Sequence, residues 1–316
     1  VATIVPVLFL AFFGDQSLAT LLIGGFFLGI GGTSFAVGVP FVSAWFPPER
    51  RGLAIGIFGV GMVGTAISAF TTVRLVELGS SATPFLVTAA ALAVYAVVAW
   101  LLLRDAPGQV RPTTSMAKLG VTWQAAALYA TLFGGYVAFS VYLPSLLKAE
   151  YDLSIADASN RMAGFVILAV IMRPVGGFLS DKIGPVPVLA TCLGAVVFGA
   201  LIDATSPALF PIATIAYLVM AAGLGAGSGA TFALVALLSP AGKVGSVTGV
   251  VGAAGGLGGF VPPLLMGVVY GATGSYTIGF LLLALVAAAV LVFTLTSIRS
   301  VLAKRDAVEV QRKVTA

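Results

Sequence analysis

The chain has 316 residues, of which 59% are hydrophobic and 9% charged, and its formal net charge is +5. So few charged residues cannot cover the surface of a soluble globular protein, and the composition therefore excludes that class. The mean hydropathy of +1.12 predicts a chain that lies within a lipid bilayer.

Long apolar stretches follow one another along the chain. They suit helices that cross about 30 Å of hydrocarbon, and they lack the polar/apolar alternation of outer-membrane strands. The predicted fold class is therefore all-α, a polytopic transmembrane helical bundle. We predict ten spans, at residues 1–14, 18–46, 52–73, 83–103, 120–146, 160–180, 186–203, 209–238, 246–270 and 276–297. Because the first span is short and opens at Val1, we expect the chain to begin inside a helix of a longer protein.

The basic residues predict an orientation. Twelve of the sixteen fall in loops on one side, whereas Arg74, Lys148 and Arg161 fall opposite. By the positive-inside rule the richer side is cytoplasmic, which explains the pI near 9.5 without a nucleic-acid partner. We expect a multi-pass protein of the cell inner (plasma) membrane whose full-length chain has both ends in the cytoplasm.

A short internal repeat indicates two similar halves. "GTSFAV" around Phe35 precedes "GIFGVGMVG", and "GATFAL" around Phe232 precedes "GVVGAAGGLGG". The glycines that open the second element of each copy, Gly56 and Gly249, stand 193 residues apart. Parallel repeats of this kind build two-lobed transporters.

The repeat predicts a domain organisation with about ten of twelve helices present. Residues 1–103 form an N-terminal lobe that lacks its first two helices, and residues 120–297 form a six-helix C-terminal lobe. Residues 104–119 form a polar cytoplasmic linker between the lobes, and residues 298–316 form a cytoplasmic tail.

Aromatic residues share one face of the span at 120–146. Tyr129, Phe133 and Tyr136 stand at positions i, i+4 and i+7. Such a stripe is typical of core packing, and it also suits the wall of a binding site. The spacing alone leaves both interpretations open.

Arg173 is a basic residue inside a predicted span. It lies eight residues before Asp181, at the end of that span, so a rise of 1.5 Å per residue places it about 12 Å into the membrane. A guanidinium at that depth requires a partner, and no deep acid is available in the sequence. We predict a bound anion; the alternatives are snorkelling to the cytoplasm and bonds to backbone carbonyls freed by Pro174.

The segment "GGFLSDKIG", from Gly176 to Gly184, follows the same span. Its order of glycine, aspartate, base and glycine resembles the cytoplasmic loop motif of the major facilitator superfamily. The resemblance implies a gating role for Gly177, Asp181, Lys182 and Gly184. The alternative is an ordinary charged loop.

Glycines interrupt the span at 246–270, in "GVVGAAGGLGGFVPPLLMG". Bare backbone lets two helices approach closely and slide, and it also leaves room for a small planar ion. Packing and substrate contact therefore both remain open. Pro262 and Pro263 predict a bend or break of the helix, and hence a gating hinge. The glycines that we assign to substrate binding are Gly59, Gly61, Gly255, Gly256 and Gly258.

The two glycine runs, from Gly56 and from Gly249, resemble the two signatures of the nitrate/nitrite porters within that superfamily. "GTSFAVGVPFVSAWFPPERRG", "YATLFGGYVAFS" and "RPVGGFLSDKIG" fit the same family. The resemblance implies a major facilitator fold and an anion path lined by Tyr129, Phe133 and Phe35. It also implies a second arginine from the other half, and Met62 stands where the family usually has asparagine.

The residue types present limit the ligands and reactions that the chain can support. Histidine is absent, and the single cysteine, Cys192, lies in an apolar span, so we expect no metal site, cofactor or internal disulfide. We place all eleven acidic residues in loops or at helix ends, which disfavours an intramembrane enzyme and favours anion exchange over proton symport.

The sequence thus predicts a transporter, with a small inorganic anion (nitrate or nitrite) and the lipid bilayer as its partners. We expect it to act as a monomer by alternating access. The alternatives are transport of another small anion, such as a carboxylate, and proton-coupled nitrate symport.

Overall fold

The computed structural model describes residues 1–47, 50–104, 119–240 and 243–300. Every described segment of regular structure is helical. The α-helices are α1 (Ile4–Phe13), α2 (Leu18–Leu28), α3 (Thr33–Trp45), α4 (Arg51–Phe58), α5 (Gly64–Leu78), α6 (Thr83–Leu102), α7 (Gly120–Tyr151), α8 (Ile155–Ile183), α9 (Pro185–Asp203), α10 (Thr214–Leu238), α11 (Val244–Thr273) and α12 (Thr277–Phe293).

Helices occupy all ten predicted spans. In the described ranges nine of them are long and apolar enough to cross a membrane, and α1 is shorter. Two spans consist of two α-helices joined by a turn, because the 3₁₀ turn Gly29–Gly32 links α2 to α3 and the 3₁₀ turn Gly59–Val63 links α4 to α5. In two others a π-helical turn extends the α-helix, Leu209–Ala213 before α10 and Thr294–Ile298 after α12. The predicted all-α bundle is therefore confirmed.

The helix ends extend past the predicted ones where polar residues continue the helix. Helix α7 runs to Tyr151 instead of 146, because Lys148, Ala149 and Glu150 favour helix as strongly as the apolar residues before them. Ser154 begins α8 as an N-cap, and its hydroxyl accepts a hydrogen bond from the Asp157 amide at 3.2 Å.

The chain stays helical through Pro262 and Pro263, inside α11. The helix therefore does not break at these prolines, and the predicted bend and gating hinge stay predictions. Neighbouring helices supply the packing that holds a proline-containing helix together in a membrane.

The predicted linker and tail lie largely outside the described residues, since 105–118 and 301–316 are not described. The described chain remains helical to Ser300, three residues beyond the predicted end of the last span.

The most buried of the described helices are α7, α8, α9 and α10. Leu132, Leu189 and Met220 from three of these helices are fully buried. Small residues bring the backbones together: a Cβ placed at Gly225 of α10 would collide with the carbonyl group of Ala169 on α8. Close approach of this kind is how helices associate where lipid provides no hydrophobic driving force.

Helices from the two halves of the chain pack together through α4 on α8 and α3 on α11. The outer surface of the bundle is apolar, with Trp100 87% exposed and Phe26 80% exposed. Such side chains suit hydrocarbon rather than water. The protein is a multi-pass membrane protein.

Candidate functional site

Arg173 is buried at the contact between the two halves. Only 3% of its surface is exposed, so it does not snorkel to the membrane surface. It lies in α8, and α4 of the first half packs on the same stretch. A Cβ placed at Gly56 of α4 would lie 2.9 Å from the Arg173 carbonyl oxygen.

The guanidinium makes one hydrogen bond within the described part of the chain. Its Nη2 donates to the Tyr129 hydroxyl at 3.1 Å. A guanidinium carries five N–H donors in a planar fork, so most of its capacity remains for a ligand. Among the described residues the ion pair is Arg161 with Asp157, and no acid pairs with Arg173.

Aromatic rings surround the charge. The Arg173 Cζ atom lies 5.3 Å from the ring centroid of Phe35 and 5.3 Å from that of Phe133. Both distances are within cation–π range. Phe35 belongs to α3 and Phe133 to α7, so both halves of the chain contribute to the site.

The rings contact one another as well as the arginine. Tyr129 stacks on Phe133 with centroids 4.6 Å apart, and its ring meets the edge of Phe232 at 4.6 Å. Phe232 in turn lies 5.5 Å from Phe35. We did not assign Phe232 to the site from sequence, although the repeat matched it to Phe35. The repeat is therefore the sequence signal from which Phe232 could have been assigned to the site.

Glycines make space for the arginine. A Cβ at Gly59 would lie 2.6 Å from the Arg173 Nε atom, and a Cβ at Gly229 of α10 would collide with the Arg173 carbonyl oxygen. Any larger residue at either place would displace the arginine. Gly59 was among the predicted substrate-site glycines, whereas Gly229 was not.

The other predicted glycines divide into three environments. Gly255 faces the rings, because its Cβ would lie 2.5 Å from Tyr129 Cδ1 and 2.8 Å from Phe133 Cδ1. Gly258 packs against the backbone of α7 instead, at Ala130. Gly61 and Gly256 have no neighbouring atom within 4 Å of a Cβ position. The structure therefore brings Gly59 to Arg173, Gly255 to the rings beside it and Gly258 to α7, while Gly61 and Gly256 border open space. The role of the five glycines in substrate binding stays a prediction.

A cavity of about 640 Å³ lies beside the site, between α7, α11 and α12. Gly258, Pro262 and Pro263 line it, together with side chains such as Met266. Its lining is almost wholly apolar, which suits hydrocarbon rather than an inorganic anion. The prolines thus line this cavity and not the surroundings of Arg173.

The loop motif joins the two halves at the end of the bundle predicted as cytoplasmic. Asp181 accepts hydrogen bonds from the backbone amides of Gly52 at 3.1 Å and Leu53 at 2.9 Å. These amides open α4, so the carboxylate caps the positive end of that helix. Gly177 lies against the Gly52 carbonyl and leaves no room for a side chain.

The rest of the motif forms a turn. Gly184 joins α8 to α9 with a φ of +85°, a conformation that favours glycine. Lys182 does not pair with Asp181: its Nζ lies over the Phe178 ring, 4.6 Å from the centroid.

Metal-binding chemistry finds no support in the described residues. They contain no group of three His, Cys, Asp or Glu side chains suited to a metal ion. Cys192 is buried. Among the described acids Asp203 is buried, at the end of α9, and neither carboxylate oxygen has a hydrogen-bond partner there.

A family model for the Major Facilitator Superfamily matches residues 1–156 and 125–314, which together cover nearly the whole chain. A "Probable nitrate/nitrite transporter NarK2" of Mycobacterium tuberculosis is 46% identical over 95% of this chain and 78% of its own length. The chain belongs to the nitrate/nitrite porter family of the major facilitator superfamily. It is a transporter and not an enzyme, as predicted.

Two relatives of lower sequence identity also carry names for nitrite or nitrate transport. The chain is 34% identical to a "Nitrite extrusion protein" of Bacillus subtilis over 87% of this chain and 70% of that protein. It is 33% identical to a "Probable nitrate transporter NarT" of Staphylococcus epidermidis over 85% of this chain and 70% of that protein.

Solved major facilitator structures share the fold of this porter. The human organic anion transporter MFSD10 superposes with a TM-score of 0.71 at 15% identity, covering 93% of this chain and 74% of that one. The fucose transporter FucP in its outward conformation superposes with a TM-score of 0.66 at 17% identity, and the superposition covers 93% of this chain and 81% of FucP. These similarities confirm the predicted major facilitator fold.

Proposed function

We propose that this porter moves nitrate and nitrite across the membrane by alternating access. The observation that carries the proposal is Arg173, a buried guanidinium at the contact of the two halves. No described acid neutralises it, and one of its donors is engaged by Tyr129. The names of its relatives support the same substrates.

A planar anion suits this arrangement. A guanidinium fork donates two parallel hydrogen bonds to two oxygens of a planar or bent oxyanion. The attraction between unit charges 4 Å apart is roughly 4 kcal/mol at an effective dielectric near 20. Phe35 and Phe133 exclude water from one part of the site while their ring faces favour the cation.

Alternating access requires the halves to rock around the site. We assign residues 1–103 and 120–297 as the moving lobes, 104–119 as their linker and 298–316 as a tail. Asp181 then acts as a latch, because its bonds to Gly52 and Leu53 hold the lobes together at one end and must break when that end opens.

Exchange of one anion for another is the coupling that we favour. Proton symport needs a group beside the substrate that gains and loses a proton within the cycle. Described acids do not pair with Arg173, and the buried acid Asp203 lies at the end of α9, near Glu150 and Tyr217.

Charge distribution in the loops supports an inner-membrane location with both ends cytoplasmic, and we propose a monomer.

Substitution of Arg173 tests the proposal. Arg173→Lys keeps the charge and loses the fork, and Arg173→Ala loses both, so both variants should lose nitrate binding, alanine more completely. Nitrate binding is measured by calorimetry on purified protein, with membrane insertion checked by fractionation. Arg161→Ala is the matched control, because Arg161 is half-exposed and pairs with Asp157 within its own helix. Wild-type nitrate affinity in Arg173→Ala would remove Arg173 from the site.

A competition assay separates nitrate from other anions. Excess nitrite should suppress nitrate uptake, whereas acetate and formate should leave it unchanged. Suppression by the carboxylates but not by nitrite would favour a carboxylate transporter.

A further inference from the structure

Tyr136 carries a buried polar group that the proposed mechanism does not use. Its side chain is 2% exposed, and its hydroxyl has no hydrogen-bond partner among the described residues. Buried hydroxyls are normally hydrogen-bonded, so an exception requires an explanation. A ligand oxygen would supply the missing partner.

The position of Tyr136 points to the same ligand as Arg173. It lies on α7 seven residues after Tyr129, about 10 Å further along the helix and on the same face. Its ring lies 5.9 Å from that of Phe133, which is itself 5.3 Å from Arg173 Cζ. Tyr129 and Tyr136 therefore flank Phe133 on a common surface that faces the arginine.

The other half of the chain contributes a polar group at the same place. The Tyr136 hydroxyl lies near the side chain of Thr65 on α5 without forming a hydrogen bond of ordinary geometry, and it lies within electrostatic range of the Arg173 charge. Thr65 is half-buried. A polar pair, one group from each half, thus lies within electrostatic range of Arg173 and next to the Phe133 ring.

We propose that the Tyr136 hydroxyl donates a hydrogen bond to the anion held by Arg173 and thereby favours nitrate over nitrite. The inference rests on the proposed function. Nitrate has three oxygens, so two can accept from the guanidinium fork while the third accepts from Tyr136. Nitrite has two oxygens, and the fork engages both.

The test compares the two anions in one variant. Tyr136→Phe removes the hydroxyl and keeps the ring. Loss of a hydrogen bond to a charged ligand should raise the nitrate Kd about ten-fold, whereas the nitrite Kd should change less than two-fold. Both constants are measured by calorimetry on the purified protein. Equal losses for the two anions, or no loss for nitrate, would overturn the inference.

A matched control and a stability measurement exclude a structural role. Tyr142→Phe makes the same change six residues further along α7, where the ring packs 5.7 Å from Tyr276, and it should leave both Kd values unchanged. The Tm of Tyr136→Phe without nitrate should stay close to that of wild type, because the removed hydroxyl forms no hydrogen bond of ordinary geometry with a described residue. A lower Tm with an unchanged nitrate-to-nitrite ratio would assign the hydroxyl to folding and overturn the inference.

Arg173→Ala in the same assay separates this inference from the proposed function. If Arg173→Ala abolishes nitrate binding and Tyr136→Phe does not weaken it, the inference about Tyr136 fails alone. If Arg173→Ala binds nitrate normally, the role proposed for Arg173 fails, and the inference about Tyr136, which depends on an anion held by Arg173, fails with it.

Discussion

Gly255→Ala is expected to weaken nitrate binding by displacing the rings that position Arg173. A Cβ at this place would lie 2.5 Å from Tyr129 Cδ1 and 2.8 Å from Phe133 Cδ1, whereas carbon atoms in contact prefer about 3.5–4.0 Å. The rings must therefore move by about 1 Å. Tyr129 is 1% exposed and is held between Phe133 and Phe232, so it has little space to retreat.

The cost follows from this overlap. Overpacking by one methyl group destabilises a packed core by about 1–3 kcal/mol. The hydrogen bond from Arg173 to the Tyr129 hydroxyl, 3.1 Å long, is disturbed by the same movement. If the whole cost falls on the binding-competent arrangement, the nitrate Kd rises roughly 5- to 150-fold, because about 1.4 kcal/mol corresponds to a factor of ten.

Gly267→Ala is the matched control, twelve residues further along α11. It gains the same helix propensity as Gly255→Ala, but no atom lies within 4 Å of its Cβ position. Calorimetry should give it wild-type nitrate affinity, with a Tm equal to or above that of wild type. If Gly255→Ala and Gly267→Ala bind nitrate alike, ring displacement is not the mechanism and the close approach at Gly255 has no role in binding.

Two further predictions concern the latch and the coupling. Asp181→Asn keeps the shape of the side chain and removes its charge, so deuterium exchange at residues 50–58 should accelerate several-fold. The control Asp157→Asn, at an exposed helix start, should not change this exchange. Unchanged exchange in Asp181→Asn would show that the carboxylate does not hold α4. Nitrate uptake into vesicles should depend on internal nitrite and respond weakly to a pH gradient, both in wild type and in Asp203→Asn. The opposite result would be robust uptake into nitrite-free vesicles that is driven by external acid and is lost in Asp203→Asn. That result would establish proton symport through Asp203.

The bundle and its family could be predicted from sequence because both depend on local patterns. Apolar length predicts spans whatever their neighbours are, and the glycine runs and loop motif are contiguous in the chain. Arg173 could also be singled out from sequence, because a charged residue inside an apolar stretch stands out whichever way the helix is rotated. The structure places it beside Tyr129, Phe133 and Phe35, the aromatics that the resemblance implied.

Contacts between distant helices could not be predicted in the same way. Asp181 meets the start of α4, which lies 128 or 129 residues away in sequence, and no pattern within either helix encodes that pairing. Likewise, the rotation of α11 decides that Gly255 faces Tyr129 while Gly256 faces open space. A glycine-rich helix looks similar on all sides in sequence, so its register emerges only from packing.

The burial of Arg173 has an electrical consequence for the transport cycle. A monovalent anion bound to one guanidinium gives a pair with zero net charge, which crosses the membrane field without electrical work. The same guanidinium travelling alone would carry a full positive charge, worth about 2.3 kcal/mol for each 100 mV that it traverses. Swapping one monovalent anion for another is therefore electroneutral. Such an exchange neither draws on the membrane voltage nor is driven by it.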